Sequence, residues 1–161
     1  MMNRIDKILN HDLFLYHLER NNTAEADRRF CRHSMVHFLD VARTGTIIAL
    51  EEGIDLDREW IYAAALLHDC GKHEQYENGT PHEQASARIA PEILRDCGFD
   101  DKETDVIVTA ILRHRDPESA KEKNLNGILY RADKASRACF ACEAEGDCHW
   151  KDGKKNLTIK Y

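Results

Sequence analysis

The chain has 161 residues and a mass of 18.6 kDa, the size of one ordinary domain. Its composition is that of a folded protein, and no apolar run reaches the roughly 18 residues that a membrane span needs. A net charge of −6, from 23 basic and 29 acidic residues, argues against a general nucleic-acid-binding protein. The N-terminus shows no signal-peptide core, so we expect a cytoplasmic protein with reduced thiols.

Apolar residues at helical spacing predict helices along most of the chain. The first helix is predicted over about residues 3–20 and the second over about residues 23–52. Asp55 or Asp57 is then expected to cap a third helix, which carries His68 at its end. No run of alternating apolar and polar residues of convincing length appears before residue 155. These patterns predict an all-α protein.

The middle of the chain contains clear helix boundaries. After a loop predicted at residues 74–79, the run Thr80-Pro81-His82-Glu83 has the pattern of a capping box with proline in the first turn. Pro91 should kink or split the helix that follows, and Gly98 should end it. Two further helices are predicted at about residues 101–114 and 125–139.

The chain therefore divides into two parts. Residues 1–138 are predicted to form one helical core, and residues 139–161 a short Cys-rich C-terminal extension whose last five residues could pair as a strand. Within this extension, Cys139 and Cys142 have a spacing typical of zinc ligands, and Cys148 can supply a third. A structural zinc ion is one interpretation, and free thiols that pack a loop against the core are the other.

Four polar side chains occupy helix stripes that should face the core: those of His33, His68, His114 and Asp133. Burying one such group without a partner costs about 1–3 kcal/mol. One buried histidine is best explained by a hydrogen-bonding neighbour, but four polar groups on different helices are better explained by a shared cation. His68 is followed directly by Asp69, and imidazole with carboxylate suits Mn, Fe, Co or Zn.

His33, the run Leu66-Leu67-His68-Asp69-Cys70-Gly71-Lys72 and the pair Ala132-Asp133 resemble the motifs of the HD-domain metal-dependent phosphohydrolase superfamily. The resemblance covers about residues 25–137 and implies a helical bundle. Once His82 and His114 are added, the order of the motifs is similar to that of the bacterial symmetrical diadenosine tetraphosphate hydrolases.

The resemblance implies two metal ions, which we favour over one. His33, His68, Asp69 and Asp133 would surround the first ion, and Asp69 would bridge to a second. The ligands of that second ion would be completed by His82 and His114.

The implied activity is cleavage of a phosphate ester or anhydride of a nucleotide or dinucleoside polyphosphate by a metal-activated water. Asp69 and Lys72 would act in catalysis, and Lys72, Arg115 and Arg137 would bind phosphate. The sequence differs from the dinucleotide hydrolases at residues 115–117 and 134–137, so it supports the chemistry more than that substrate.

Two other functions remain open: a one-metal HD nucleotidase and a non-catalytic metal- or nucleotide-binding module. We expect a small phosphorylated substrate, with no nucleic-acid or membrane partner, and the oligomeric state stays open.

The remaining histidines and cysteines are predicted to be structural. His37 follows His33 by one helical turn and could orient a ligand or touch substrate, although a packed helix histidine is favoured. His73 is predicted to be a loop residue. The three cysteines outside the extension are expected to be buried as small hydrophobic residues, at positions Cys31, Cys70 and Cys97.

Overall fold

The computed structural model describes residues 3–160, and within that range it is all-α, as the sequence predicts. Short 3₁₀ turns join or follow the helices, and these residues contain no strand. None of the helices combines the length and hydropathy that a membrane crossing requires. The helices are α1 (Arg4–Leu9), α2 (Asp12–Ala24), α3 (Met35–Glu51), α4 (Arg58–Leu67), α5 (Lys72–Asn78), α6 (His82–Asp96), α7 (Asp101–Arg113) and α8 (Leu125–Ala135).

Helix α4 is the centre of the bundle. It packs against α1, α3, α6, α7 and α8. Its residues 63–67 are fully buried, because alanines and leucines make this stretch apolar on every side. Gly45 lets α3 approach α4 and α8 closely, since a Cβ atom there would lie 3.0 Å from Ile61 of α4 and 3.2 Å from Ile128 of α8. His68 caps the C-terminal end of α4, so the histidine-aspartate pair projects from the middle of the core.

The N-terminal helices are shorter than predicted. The first predicted helix is divided into two helices, α1 and α2, because His11 caps α2 by accepting a hydrogen bond from the Leu13 amide. The second begins only at residue 35, since side chains of the preceding segment bind backbone groups that a helix would use. Arg28 donates to the Cys31 carbonyl at 2.8 Å, for example. His33 therefore lies in a loop before α3 and not on a helix.

The boundaries around α5 and α6 also differ from the predictions. Residues 74–78, predicted as part of a loop, belong to α5. Thr80 does not cap α6, because its hydroxyl and amide both donate to Asn78, and Pro81 holds the N-cap position. Pro91 does not split α6, since buried residues on both sides of it pack into the core. Gly98 follows the helix with φ +95°, as its predicted role requires.

The C-terminal extension is irregular. It leaves α8 at Ala135 and consists of 3₁₀ turns at Cys139–Ala141, Glu145–Asp147 and Asp152–Lys154. The Asn156 side chain anchors it by donating to three carbonyls at the end of α8, those of Lys134, Ala135 and Arg137. The predicted strand is wrong for residues 157–160, which have no strand to pair with in the described range, and Tyr161 lies outside that range.

Candidate metal centre

Seven buried side chains from six parts of the fold converge beside the end of α4. None is more than 8% exposed to solvent. They include all six metal ligands predicted from the sequence, and the seventh is His37. Their positions are the loop before α3 for His33, α3 for His37, the end of α4 for His68 and Asp69, the start of α6 for His82, the end of α7 for His114 and α8 for Asp133.

The carboxylate of Asp69 lies at the middle of this group, and its two oxygens face different histidines. Oδ1 is 3.3 Å from Nε2 of His82 and 3.5 Å from Nε2 of His114. Oδ2 is 3.0 Å from Nε2 of His68 and 3.7 Å from Nε2 of His37. This is the arrangement expected of a carboxylate that bridges two cations.

The ligand atoms form two sets, in each of which all atoms lie within 4.8 Å of one another. The second set contains Asp69, His82 and His114. In the first set, Oδ1 of Asp133 is 3.3 Å from Nε2 of His37 and 3.6 Å from Nε2 of His68. The members of the first set are His37, His68, Asp69 and Asp133.

His33 stands at the edge of the first set, with its Nε2 3.8 Å from Oδ2 of Asp69. His37 takes the place inside the set that the sequence assigned to His33. The favoured interpretation of His37 as a packed histidine missed this position. Its one-turn spacing from His33 was the available signal.

Three atoms at the centre are buried and, despite the short distances to neighbouring ligand atoms, make no hydrogen bond of acceptable geometry: Nε2 of His68, Oδ1 of Asp69 and Oδ1 of Asp133. Buried polar atoms of this kind are costly unless something satisfies them. Divalent cations held by the two sets would satisfy all three atoms, and imidazole with carboxylate is a suitable donor set for a transition metal. The residues present therefore fit a metal centre.

Hydrogen bonds on the far side of four histidine rings fix their orientation. In each ring Nδ1 lies 2.5–2.7 Å from an oxygen, and donation from Nδ1 leaves Nε2 free to bind a metal. The acceptors are the carboxylate of Glu25 for His33, the carbonyl of Ala65 for His68, the amide oxygen of Gln75 for His82 and the carbonyl of Ile111 for His114. No sequence signal pointed to Glu25 or Gln75.

The pKa values of the two histidines His68 and His82 are shifted in opposite directions. Burial would lower the pKa of His68, but the carboxylates of Asp69 and Asp133 raise it to about 10. Although burial opposes it, the surrounding histidines hold the pKa of Asp69 well below its usual range, so it stays ionised. Burial, with the charges of Lys72 and His114, lowers the pKa of His82 to about 3, which keeps that ring neutral as a metal ligand must be.

The turn that carries Asp69 is held from two sides. Gly71 packs so closely on α6 that a Cβ atom there would lie 2.7 Å from both Ala85 Cβ and Ser86 N, and its amide donates to Ser86 Oγ at 3.0 Å. The buried amide of Asn21 donates to the Asp69 carbonyl at 2.9 Å and accepts from the His73 amide. His73, predicted in a loop, is buried in α5 and bonds His17, away from the centre.

The three predicted phosphate-binding side chains differ in their surroundings. Lys72 is buried, with Nζ 3.2 Å from Nδ1 of His82. Arg137 lies beside the first set, with Nη2 3.2 Å from Nε2 of His37. Arg115 is exposed, and its charge acts on both Lys72 and His82. Lys134 adds a fourth cation, 2.6 Å from Asp133 Oδ2.

The zinc site predicted from Cys139, Cys142 and Cys148 is not supported. Across residues 3–160, no three ligand atoms that lie within 4.8 Å of one another include a cysteine sulfur. The six cysteines are free thiols. Cys70 and Cys97 are buried as predicted, but Cys31 is only partly buried.

Comparison with known proteins gives one family and one close relative. A family model described as the HD domain matches residues 35–138. A protein of Clostridium beijerinckii, described only as an uncharacterized protein, is 47% identical over 160 residues, which cover 99% of this chain and 100% of the relative. No solved structure matches the chain.

Proposed function

Because the chain belongs to the HD domain family, whose members are generally metal-dependent hydrolases, we propose that it is a two-metal phosphohydrolase acting on a nucleotide-like substrate. The observation that carries the proposal is the position of Asp69, whose two oxygens face two separate sets of buried ligands. A one-metal enzyme would need only the first set. The second set contributes two further histidines, His82 and His114, whose Nε2 atoms lie 3.3 and 3.5 Å from the same carboxylate oxygen.

Each set has a defined task in this proposal. His37, His68, Asp69 and Asp133 would hold one ion, with His33 beside them, and Asp69, His82 and His114 the other. Divalent ions held there would supply hydroxide at neutral pH and offset charge on the phosphoryl group. The choice among Fe, Mn, Co and Zn depends on availability as much as on affinity.

The chain's own cations would attract and orient the phosphate. The protein is acidic overall, so an anionic substrate needs locally gathered positive charge. Lys72 lies at the second set and Arg137 at the first, so phosphate oxygens bound between the sets would face a cation on each side. Arg115 would extend this charge to the surface. The motif order supports a nucleotide or dinucleoside polyphosphate, with an ester or anhydride bond as the one cleaved.

The test is the metal content and the turnover of anaerobically purified protein, with a panel of nucleotides and dinucleoside polyphosphates as substrates. We expect about two transition-metal ions per chain at the HD centre and hydrolysis of at least one panel member. Asp69→Asn keeps the side-chain size but removes the bridging charge, and should lose both metal and activity. Asp116→Asn is the matched control, because Asp116 caps a surface turn and asparagine caps equally well.

Two results would overturn the proposal. An Asp69→Asn protein that keeps its metal and its turnover would show that the carboxylate bridge is not needed. A wild-type protein that binds nucleotides tightly but hydrolyses none of them would indicate the non-catalytic binding module instead.

A further inference from the structure

A second cluster of metal-ligating side chains lies outside the HD centre. A cavity of about 310 Å³ separates the loop before α3 from the C-terminal extension, and four of the six cysteines line it. The other two cysteines, Cys70 and Cys97, are buried in the core. One loop and the distant extension thus contribute every partly exposed thiol to one cavity. The four are Cys31, Cys139, Cys142 and Cys148.

The extension has almost no hydrophobic core with which to hold this shape. Between residues 139 and 156, Ala144 is the one buried hydrophobic residue, and the 3₁₀ turns are three residues long. Polar contacts join it to the body, such as the Arg29–Asp147 ion pair at 2.6 Å across to the loop that carries Cys31. Short segments that bury little apolar surface usually need a disulfide or a metal to stay ordered. Because the cysteines are free thiols, a bound metal is the candidate that we consider for the extension.

The lining of the cavity carries more basic than acidic side chains. Its lining includes four cationic side chains and two acidic ones. Metal is bound by the thiolate form of cysteine, and basic side chains nearby offset the negative charge that four thiolates bring. The four cations are Arg29, Arg32, Arg137 and Lys155.

The spacing of the sulfurs distinguishes between a single ion and a cluster. A tetrahedral zinc ion at 2.3 Å from each sulfur would place the sulfurs about 3.8 Å apart. In the described chain no three of these sulfurs lie within 4.8 Å of one another, although the HD centre meets that limit twice. An iron–sulfur cluster spreads four thiolates around a volume, because they bind different iron atoms.

We propose that Cys31, Cys139, Cys142 and Cys148 bind an iron–sulfur cluster in this cavity. The proposal is independent of the hydrolase activity. The cavity also reaches His37 and Arg137, so the cluster would lie next to the HD centre. Iron at the HD centre must therefore be distinguished from iron in the cluster, and acid-labile sulfide makes that distinction because only the cluster contains it.

The experiment measures acid-labile sulfide, iron, zinc and visible absorption of the full chain purified anaerobically, and again after incubation with ferrous iron, sulfide and a thiol reductant. Wild-type protein should hold about two or four sulfides per chain, the content of a [2Fe–2S] or a [4Fe–4S] cluster. Cys31→Ser and Cys142→Ser should each lower the sulfide at least tenfold. Cys97→Ala, which removes a thiol outside the cavity, should keep it.

Helical circular dichroism and the metal content of the HD centre show whether each variant is folded. Wild-type protein with no sulfide after incubation would overturn the proposal, and so would one tightly bound zinc in its place. Full sulfide in Cys31→Ser would also overturn it, because the cluster would then not use the four-cysteine set. If a serine variant does not fold, the wild-type sulfide measurement still decides.

Discussion

The HD centre and the cysteine-lined cavity share His37 and Arg137 as neighbours, yet they are built by opposite means. In the HD centre most ligands stand on or at the ends of core helices, and four imidazole rings are held by hydrogen bonds from behind. In the cavity the cysteines stand on a loop and on short turns, with one buried alanine nearby.

This difference shows two ways to prepare a metal site. Close-packed helices position the histidines and carboxylates before any metal binds, so the free energy of folding offsets the entropy lost in bringing them together. The extension has no comparable packing, so its ligands and its fold should form together. The HD centre should thus survive the loss of its metal, while the extension should depend on what the cysteines bind. The following changes test that contrast, from the largest expected effect to the smallest.

The first change removes a ligand of the second set. In His82→Ala the transition metal at the HD centre should fall from about two ions to one per chain, and turnover should fall at least about a hundredfold. Sulfide in the cysteine cavity should be unchanged, and Cys142→Ser should give the reverse pattern. Elemental analysis, a sulfide assay and steady-state kinetics measure these effects.

The control for His82→Ala is His11→Asn, because His11 caps α2 far from the centre and asparagine is a good cap. An unchanged metal count and rate in His82→Ala would favour the one-metal nucleotidase over our proposal.

The second change weakens the support behind a histidine. Glu25 accepts hydrogen bonds from both the backbone amide and Nδ1 of His33, at 2.6 and 2.5 Å. Glu25→Gln keeps the size but removes the charge that orients the ring. Metal affinity or kcat/KM should fall about 10–100-fold, as for other groups that orient metal ligands. Glu19→Gln, on the exposed face of α2, should change neither, and equal behaviour of the two variants would contradict this role.

The third change compares backbone packing in the two regions. Gly71→Ala places a methyl group 2.7 Å from α6 and should lower the free energy of unfolding by about 1–3 kcal/mol. Gly146→Ala, in the extension, meets nothing within 4 Å and should change it by less than about 0.5 kcal/mol. Urea unfolding followed by circular dichroism measures both. Equal effects would show that the turn of the histidine-aspartate pair is not tightly packed.

The smallest effect lies outside both sites. Burial would raise the pKa of Glu103, but hydrogen bonds from Arg4, the Trp60 indole and the Asp100 amide lower it from 4.5 to about 2. The unfolded chain thus binds a proton more readily, so this stabilisation is present above about pH 4.5 and is lost as the pH falls towards 2. With solvent screening it should amount to no more than about 2 kcal/mol.

Glu103→Gln should lack this part of the pH dependence while keeping the metal of both sites at neutral pH. Unfolding curves between about pH 5 and pH 2 measure it. A wild-type pH dependence that persists in Glu103→Gln would assign the effect to another carboxylate.

Local sequence signals predicted part of the fold well. The helical character of the chain and the end of α6 before Gly98 follow from neighbours along the chain. The same signals failed at Pro91, where packing of the flanking residues into the core outweighed the local preference, and over residues 25–34, where side chains bind nearby backbone groups instead. In the same way, Thr80 had the right sequence for a cap but bonded to Asn78 instead.

The sequence by itself determined which residues can form the HD centre, because polar side chains on apolar helix stripes must meet in the core. It could not rank His37 against His33, since that depends on where α3 begins, and the loop before α3 is set by its contacts with Glu25. The sequence also could not show that Cys31 lines the same cavity as the cysteines of the extension. Only the tertiary structure brings together residues more than a hundred positions apart, because turn contacts and not a local repeat decide the path of the chain there.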